Sequence, residues 1–119
     1  MGFEAFDVVR VPFPFTDRAA TKNRPALVLS CAEFNAPSGH SVMAMITSAD
    51  NPPWPQDCVL ADLVAAGLPA PSRVRFKLFT LDHRLVRGAL GHLSAADEKA
   101  VRKAFASVFA FSKQGAGTR

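Results

Sequence analysis

The sequence is poor in the residues and segments that mark several large classes of protein. Its two cysteines, Cys31 and Cys58, stand in no metal-ligand spacing, which argues against a disulfide framework and a zinc site, although a single bridge between them stays open. No apolar stretch approaches the roughly 20 residues that a membrane-spanning helix needs. The first residues have neither the basic nor the long apolar region of a secretion signal, so we expect a cytoplasmic protein.

Residues for metal-dependent or nucleophilic catalysis are also sparse. Six aspartates stand singly along the chain: Asp7, Asp17, Asp50, Asp57, Asp62 and Asp82. There is no His-x-x-x-His pair and no phosphate-binding glycine loop, so we expect no metal and no other cofactor. No serine or cysteine is marked out as a nucleophile beside the histidines, which we interpret as surface or turn residues: His40, His83 and His92.

What the chain does have is the composition of one small globular domain with an excess of positive charge. Its 119 residues are 49% hydrophobic and 20% charged, and the formal net charge of +4 favours an anionic partner. Ten phenylalanines and no tyrosine indicate that phenylalanine anchors a compact core or a dimer face. We expect a single domain over residues 1–111 and a disordered tail over 112–119.

Short apolar or alternating segments predict a mainly β fold. We expect strands over residues 7–15, 25–30, 41–47, 57–60, 73–80 and 85–90, a turn over 35–39 and a helical turn over 63–68. Pro12 and Pro14 place the second half of the first strand at an edge or a bulge. Ser94 caps a helix with one apolar face. Five to seven strands followed by an amphipathic helix indicate a small curled β-barrel with a helix packed across it.

Two groups of side chains suit an anionic polymer. Arg73, Arg75 and Lys77 alternate along one face of a predicted strand, about 6.6–6.8 Å apart, which is close to the phosphate repeat of a single nucleic-acid strand. The alternative is that they form the solvated face of an antiparallel sheet. Thr47 and Ser48 end another predicted strand, where their hydroxyls either face a ligand or cap a turn.

Arg24 differs from the other cations because its neighbours restrict it. Pro25 fixes its own φ and pushes Arg24 into the extended region at the start of an apolar strand. A guanidinium held in this way suits a phosphate group, and an exposed arginine at a strand start is the alternative. Trp54 lies in a proline-rich segment, where it either stacks on a base or packs as an anchor. Phe105 and Phe109 fit a core or dimer contact.

The order of short motifs resembles that of the MazF/PemK toxins over residues 5–110. The segments DVV and FPFTD, followed by KNRPALVLS, resemble the opening of that family, and ITS resembles the end of its third strand. LPAPS before the basic strand and LGHLS before the helix match its second half. The resemblance implies an SH3-like barrel, a homodimer and a metal-independent endoribonuclease. Such toxins cleave single-stranded RNA (mRNA) at short motifs through the neighbouring 2′-hydroxyl, and a cognate acidic antitoxin inhibits them.

The resemblance also implies roles for particular residues. Arg24 matches the catalytic arginine, which would stabilise charge at the phosphorus, and Thr47 matches the strand-end threonine, which would donate to a nonbridging oxygen. The residues that we expect to bind RNA are Lys22, Asn23, Ser48, Arg73, Arg75 and Lys77.

The sequence departs from the family pattern in ways that affect these expectations. Phe6 stands where a glycine usually precedes the first aspartate, and the first loop offers only Asp17 as an acid. In one branch of the family, an arginine and an acid that stand two residues apart on the later strand carry out the proton transfers. The corresponding pair here is Arg75 and Lys77, so we expect the acid to be missing and leave the general base unassigned. Related toxins bind DNA gyrase without cutting RNA, so a non-catalytic binding module is the alternative function.

Overall fold

The computed structural model describes residues 2–13 and 22–110. Along them follow β1 (Asp7–Pro12), β2 (Asn23–Val28), α1 (Ala32–Ser38), β3 (His40–Ser48), β4 (Cys58–Val59), α2 (Leu63–Ala66), β5 (Ser72–Asp82), a 3₁₀ turn (His83–Leu85), β6 (Gly88–His92) and α3 (Ala95–Val108). Residues 14–15 of the first predicted strand, the loop residues 16–21 and the predicted tail over 112–119 lie outside the described residues. No helix in the described ranges is long and apolar enough to cross a bilayer.

The strands form one curled antiparallel sheet in the order β4-β5-β3-β2-β1-β6. β2 lies inside the sheet, as its apolar sequence predicts. β6 pairs with β1 only from Asp7 to Arg10, so Pro12 has a neighbouring strand on one side alone. That position agrees with the edge that we predict from the prolines. Six strands with a C-terminal helix confirm the predicted mainly β fold class.

Apolar side chains cover both faces of the sheet. The larger core joins the sheet to α3 and includes Val8, Leu27, Ile46, Val74 and Val101. A second cluster lies on the opposite face and includes Val9, Val11, Ala26, Val28, Met43 and Leu81. Neighbouring residues of β1 and β2 alternate between the two clusters, because successive side chains of a strand point to opposite faces. Each fully buried Val or Leu side chain contributes about 1.5–3 kcal/mol, so these two layers hold the sheet in place.

The start of α3 is fixed by side-chain hydrogen bonds, as the sequence predicts. Ser94 Oγ accepts from the Asp97 N–H at 3.2 Å, and Asp97 and Glu98 lie in the first turn, where carboxylates complement the helix dipole. The buried Asp97 carboxylate also accepts from the backbone N–H groups of Ala61 and Asp62 at distances between 2.9 and 3.1 Å. The same residue therefore begins the helix and joins it to the segment before α2.

α1 differs from the turn that we predict over residues 35–39. The helix continues to Ser38, and the chain reverses only at Gly39, whose φ is 69°. The cause is the buried Asn35, whose Nδ2 donates to the carbonyl groups of Phe3 and Ser30, both at 2.9 Å. These contacts are tertiary, so the local pattern of turn-forming residues could not reveal them.

β5 and β6 also differ from their predicted bounds. β5 is longer than predicted. It also contains a bulge-like irregularity at Phe76 and Lys77, where the register of its pairing with β3 shifts. β6 begins at Gly88 and not at residue 85. Before it, Asp82 Oδ1 accepts from the Arg84 N–H at 2.9 Å, which starts the 3₁₀ turn and delays the strand.

Candidate functional site

Neighbouring strands bring polar side chains from distant parts of the sequence into one row across the sheet. Thr47 of β3 pairs with Arg73 of β5. The observed pairing of β2 with β3 ends where Ala26 lies opposite Met45. If the same register is continued by two residues, Arg24 falls level with Thr47. The row Arg24, Thr47 and Arg73 therefore unites residues that are separated by more than twenty positions in the sequence.

Side-chain alternation gives the two residues with predicted catalytic roles the same sheet face. Arg24 alternates in step with Ala26 and Val28, and Thr47 alternates in step with Met43. Those apolar residues all belong to the second cluster. Arg24 is half-buried, so part of its surface remains accessible to solvent. A half-buried guanidinium on the same sheet face as a hydroxyl is an arrangement that can bind an anionic group.

The two predicted hydroxyls differ in their surroundings. Thr47 is only 6% exposed, and its Oγ1 accepts a hydrogen bond from Asn51 Nδ2 at 2.7 Å. Ser48 is exposed, and its Oγ accepts from the Asp50 N–H at 3.1 Å. The turn-capping interpretation therefore applies to Ser48, whereas Thr47 lies in the row.

Arg73 and Arg75 hold the segment between β3 and β4. Arg75 donates to Asp57 from Nε at 3.2 Å and from Nη2 at 2.9 Å, and Nη2 also donates to the Pro52 carbonyl at 2.8 Å. Arg73 Nη1 lies 3.6 Å from Asp57 Oδ2, and Arg73 Nη2 donates to the Ala49 carbonyl. Both guanidinium groups are largely enclosed, so the solvated-face alternative is wrong for them. Their binding of RNA stays a prediction.

Asp57, from the segment before β4, is an acid that lies beside Arg75. It does not occupy the position two residues along β5, where Lys77 stands, and the general base stays unassigned. Burial raises the pKa of Asp57, but hydrogen bonds from Arg75 and the Trp54 N–H and the charges of Arg75 and Arg73 outweigh it and hold this pKa below 3.8. The ionised carboxylate has its oxygens occupied, which suits it to fixing arginines and not to accepting a proton.

Trp54 combines a packing contact with exposure. The guanidinium carbon of Arg75 lies 4.8 Å from the centroid of the Trp54 ring, which is a cation–π geometry. The tryptophan nevertheless keeps 44% of its surface exposed. Arg75 thus fixes the ring at the surface, and stacking of an RNA base on it stays a prediction.

The remaining predicted RNA-binding residues lie near the two ends of the site. Lys22 and Asn23 are exposed immediately before Arg24, and the Phe13 N–H donates to the Lys22 carbonyl at 3.2 Å, which ties this end of β2 to β1. Lys77 is half-buried in the irregular part of β5, two residues beyond Arg75. Their role in RNA binding stays a prediction.

The histidines make structural contacts outside the row. His83 Nε2 lies 2.8 Å from the Oγ of the fully buried Ser41, a partner that the sequence does not mark out. His92 contacts Asp7 at 2.8 Å and Glu98 at 3.2 Å, and the bond to Asp7 raises the pKa of His92 against the opposing effect of burial, with Glu98 adding to the rise. No cluster of three or more metal-ligating side chains occurs within residues 2–13 and 22–110.

Comparisons with known proteins agree with this geometry. A family model described as PemK-like, MazF-like toxin of type II toxin–antitoxin system matches residues 4–109. A MazE–MazF crystal structure (Form-III) from Deinococcus radiodurans is 26% identical with a TM-score of 0.71, and the match covers 91% of this chain and 96% of that one. An endoribonuclease in complex with its cognate antitoxin from Mycobacterial species is 15% identical with a TM-score of 0.69, over 89% and 91% of the chains. No curated protein gives a significant sequence match. The match over residues 4–109, together with the curled sheet and its C-terminal helix, shows that the chain belongs to the PemK-like, MazF-like toxins of type II toxin–antitoxin systems.

Proposed function

We propose that this toxin is a metal-independent endoribonuclease that cleaves single-stranded RNA, including mRNA, at short sequence motifs. The observation that supports the proposal best is the pairing of Thr47 with Arg73, on the sheet face that Arg24 shares by alternation with Ala26. RNA carries its own nucleophile, the 2′-hydroxyl beside the scissile phosphate. The protein therefore needs no nucleophilic side chain, and its main task is to stabilise charge at the phosphorus.

In the proposed reaction the 2′-oxygen attacks the adjacent phosphorus. A 2′-O–P bond forms, the P–O5′ bond breaks, and the products are a 2′,3′-cyclic phosphate and a 5′-hydroxyl. One proton leaves the 2′-oxygen and one reaches the 5′-oxygen. Arg24 binds the nonbridging oxygens and stabilises their growing charge, and Thr47 donates to one of them. Arg24 does not carry the protons, because a guanidinium is permanently charged and offers donors but no acceptor.

The flanking residues are proposed to bind the RNA chain. Backbone contacts come from the residues with predicted RNA-binding roles: Lys22, Asn23, Ser48, Arg73, Arg75 and Lys77. Trp54 offers an exposed ring for stacking on a base. Because the Arg75 guanidinium forms an ion pair with the Asp57 carboxylate, the main contribution of Arg75 is to hold the segment between β3 and β4 in position.

The proposed partners follow from the family and from charge. One structurally similar endoribonuclease is in complex with its cognate antitoxin. We propose that an acidic antitoxin inhibits this chain by covering its basic surface, since the net charge is +4. We also propose that the toxin acts as a homodimer in the cytoplasm, where its mRNA substrate is found.

A cleavage assay with mixed single-stranded RNA in EDTA tests the proposed function. We expect discrete fragments that end in a cyclic phosphate or a 3′-phosphate. Arg24→Ala should lower the cleavage rate by about 100-fold or more, because it removes the charge-stabilising donor. The matched control is Arg84→Ala, since Arg84 is exposed and pairs with Asp82 outside the row. Arg24→Ala protein that cleaves at the wild-type rate overturns the assignment, and RNA left intact by the wild type favours a non-catalytic toxin such as a gyrase inhibitor.

A further inference from the structure

Asn51, in the segment between β3 and β4, makes a direct contact with the row of the site. Its Nδ2 donates to Thr47 Oγ1 at 2.7 Å. Its backbone N–H donates to the Ser48 carbonyl at 3.1 Å, which forms a turn at the end of β3. The turn fixes the backbone of Asn51 relative to the strand, so the amide group reaches Thr47 from a defined position.

The direction of this hydrogen bond determines what the Thr47 hydroxyl can do. A hydroxyl group has one proton to donate and two lone pairs that accept. Because Asn51 supplies the donor, one lone pair of Oγ1 is occupied and the proton is left to donate elsewhere. Within residues 2–13 and 22–110, no acceptor for that proton contacts Thr47. An incoming phosphate oxygen at the row is an acceptor that Thr47 could reach.

The segment that carries Asn51 is anchored on both sides of it. Arg73 donates to the Ala49 carbonyl, two residues before Asn51, and Arg75 donates to the Pro52 carbonyl, one residue after it. Both arginines extend from β5, and Asp57 binds them in turn. The sheet therefore sets the position of Asn51, although its own side chain is exposed.

We propose that Asn51 is a positioning residue for the reaction: its amide donates to Thr47 Oγ1 and thereby directs the Thr47 proton to the phosphate that Arg24 binds. This inference rests on the proposed ribonuclease function and deepens it. It predicts that Asn51 affects the chemical step through Thr47 and that it adds little to the binding of RNA.

A double-mutant cycle in single-turnover cleavage of single-stranded RNA tests this role. Asn51→Ala should lower the rate at saturating enzyme about tenfold, with a nearly unchanged half-saturating concentration. Thr47→Val removes the hydroxyl while keeping its shape. Adding Asn51→Ala to Thr47→Val should cost nothing further, because Asn51 acts only through that hydroxyl. Asn51→Asp should lower the rate more than Asn51→Ala, because a carboxylate accepts the Thr47 proton and withdraws it from the phosphate.

The control and the contrary outcomes keep this inference separate from the proposed function. Arg84→Ala removes an exposed side chain outside the row and should cleave at the wild-type rate. Equal losses from Asn51→Ala with and without the Thr47 hydroxyl overturn the positioning role, and so does wild-type cleavage by Asn51→Asp. In both cases, cleavage that still depends on Arg24 leaves the ribonuclease proposal standing. Wild-type protein that does not cleave RNA overturns both.

Discussion

At the scale of single residues, Asp57 determines how the basic side chains of β5 are used. Its carboxylate is enclosed and accepts hydrogen bonds from Arg75 and from the Trp54 N–H, with Arg73 3.6 Å away. Two largely buried guanidinium groups lie close together, and the negative charge of the carboxylate offsets the cost of removing both from water. The segment between β3 and β4 is thus held by an ionic contact and not by a long strand ladder.

Replacing Asp57 with asparagine should destabilise the protein by about 3–5 kcal/mol at pH 7, because two enclosed cations lose their counter-charge. The pKa of Asp57 is lowered in the folded state. A lowered pKa means that the carboxylate stabilises the fold above its unfolded value of 3.8 and that this contribution is lost as the pH falls through the folded value. Urea unfolding of wild type and Asp57→Asn should show a large difference at pH 7 that shrinks at pH 3.

The matched control for this prediction is Asp50→Asn, since Asp50 lies in the same segment and is exposed. It should change the free energy of unfolding by no more than about 0.5 kcal/mol. A loss below about 1 kcal/mol for Asp57→Asn would mean that the arginines are held by the carbonyl groups of Ala49 and Pro52 alone.

Single-residue reasoning from the sequence singles out Arg24, whose catalytic role stays a prediction, and does not single out Asn51 or Asp57. Arg24 is restricted by Pro25, its covalent neighbour, so its conformation is encoded locally. Asn51 and Asp57 act on residues of other strands, and their partners become visible only when β3 and β5 are paired. Their sole sequence signal is a position in the proline-containing break after the hydroxyl pair.

At the scale of elements, α2 and β6 meet backbone to backbone. A Cβ at Gly91 of β6 would lie 2.3 Å from the Ala65 carbonyl oxygen and 2.6 Å from the Ala66 carbonyl carbon. A Cβ at Gly67 would lie 2.0 Å from the Leu90 carbonyl oxygen. The two glycines therefore permit an approach that no larger residue would allow without a shift of backbone.

Gly91→Ala should destabilise the protein by about 1–3 kcal/mol, because the added methyl group must push α2 away from β6. Gly2→Ala is the matched control, since a Cβ there would meet no atom within 4 Å. Thermal unfolding followed by circular dichroism measures both changes. Equal midpoints for Gly91→Ala and the wild type would show that α2 moves aside at no cost.

Elements whose signal lies within the local sequence were predictable, and elements made by distant contacts were not. β3 is a short apolar run between turn-forming segments, and α3 has a side-chain cap and an apolar face, so both follow from local patterns. α1 depends on the tertiary hydrogen bonds of Asn35, so the local turn-forming residues predicted the wrong element. The late start of β6 has a local cause, because the Arg84 N–H donates to Asp82 two residues earlier, and the predicted strand bounds did not include that turn.

At the scale of the whole molecule, positive charge should make RNA binding depend on salt. A fully 2′-O-methylated oligonucleotide lacks the nucleophile and reports binding alone. The logarithm of its association constant should fall linearly with the logarithm of the salt concentration, by about 0.7 for each phosphate contact. Lys22→Ala should reduce this slope by about 0.7, because Lys22 is exposed beside Arg24.

The control for the salt dependence is Lys99→Ala. Lys99 is exposed on α3, which packs against the larger core on the other face of the sheet. Its removal lowers the net charge equally and should leave the slope unchanged. Equal slopes for Lys22→Ala and the wild type would exclude Lys22 from the binding surface.

For the whole molecule, the fold class was predictable because a short series of strands and one capped helix permit few architectures. The sheet gives Arg24 and Thr47 the same face near the end of the β2–β3 pairing, and their catalytic roles stay a prediction. The anchoring of the segment between β3 and β4 was not predictable. It depends on a two-residue strand, β4, and on hydrogen bonds from arginine side chains of β5.

The anchors of the segment between β3 and β4 have a consequence for how such toxins can diverge. Arg73 and Arg75 hold it by the main-chain carbonyl groups of Ala49 and Pro52. Every amino acid provides a carbonyl group, so substitutions at the exposed positions between these anchors and Asp57 leave the attachment intact. Mutation can therefore change this exposed surface while Arg24 and Thr47 stay in place. Under the proposed function, such a toxin can acquire a different preferred RNA sequence without rebuilding its chemistry.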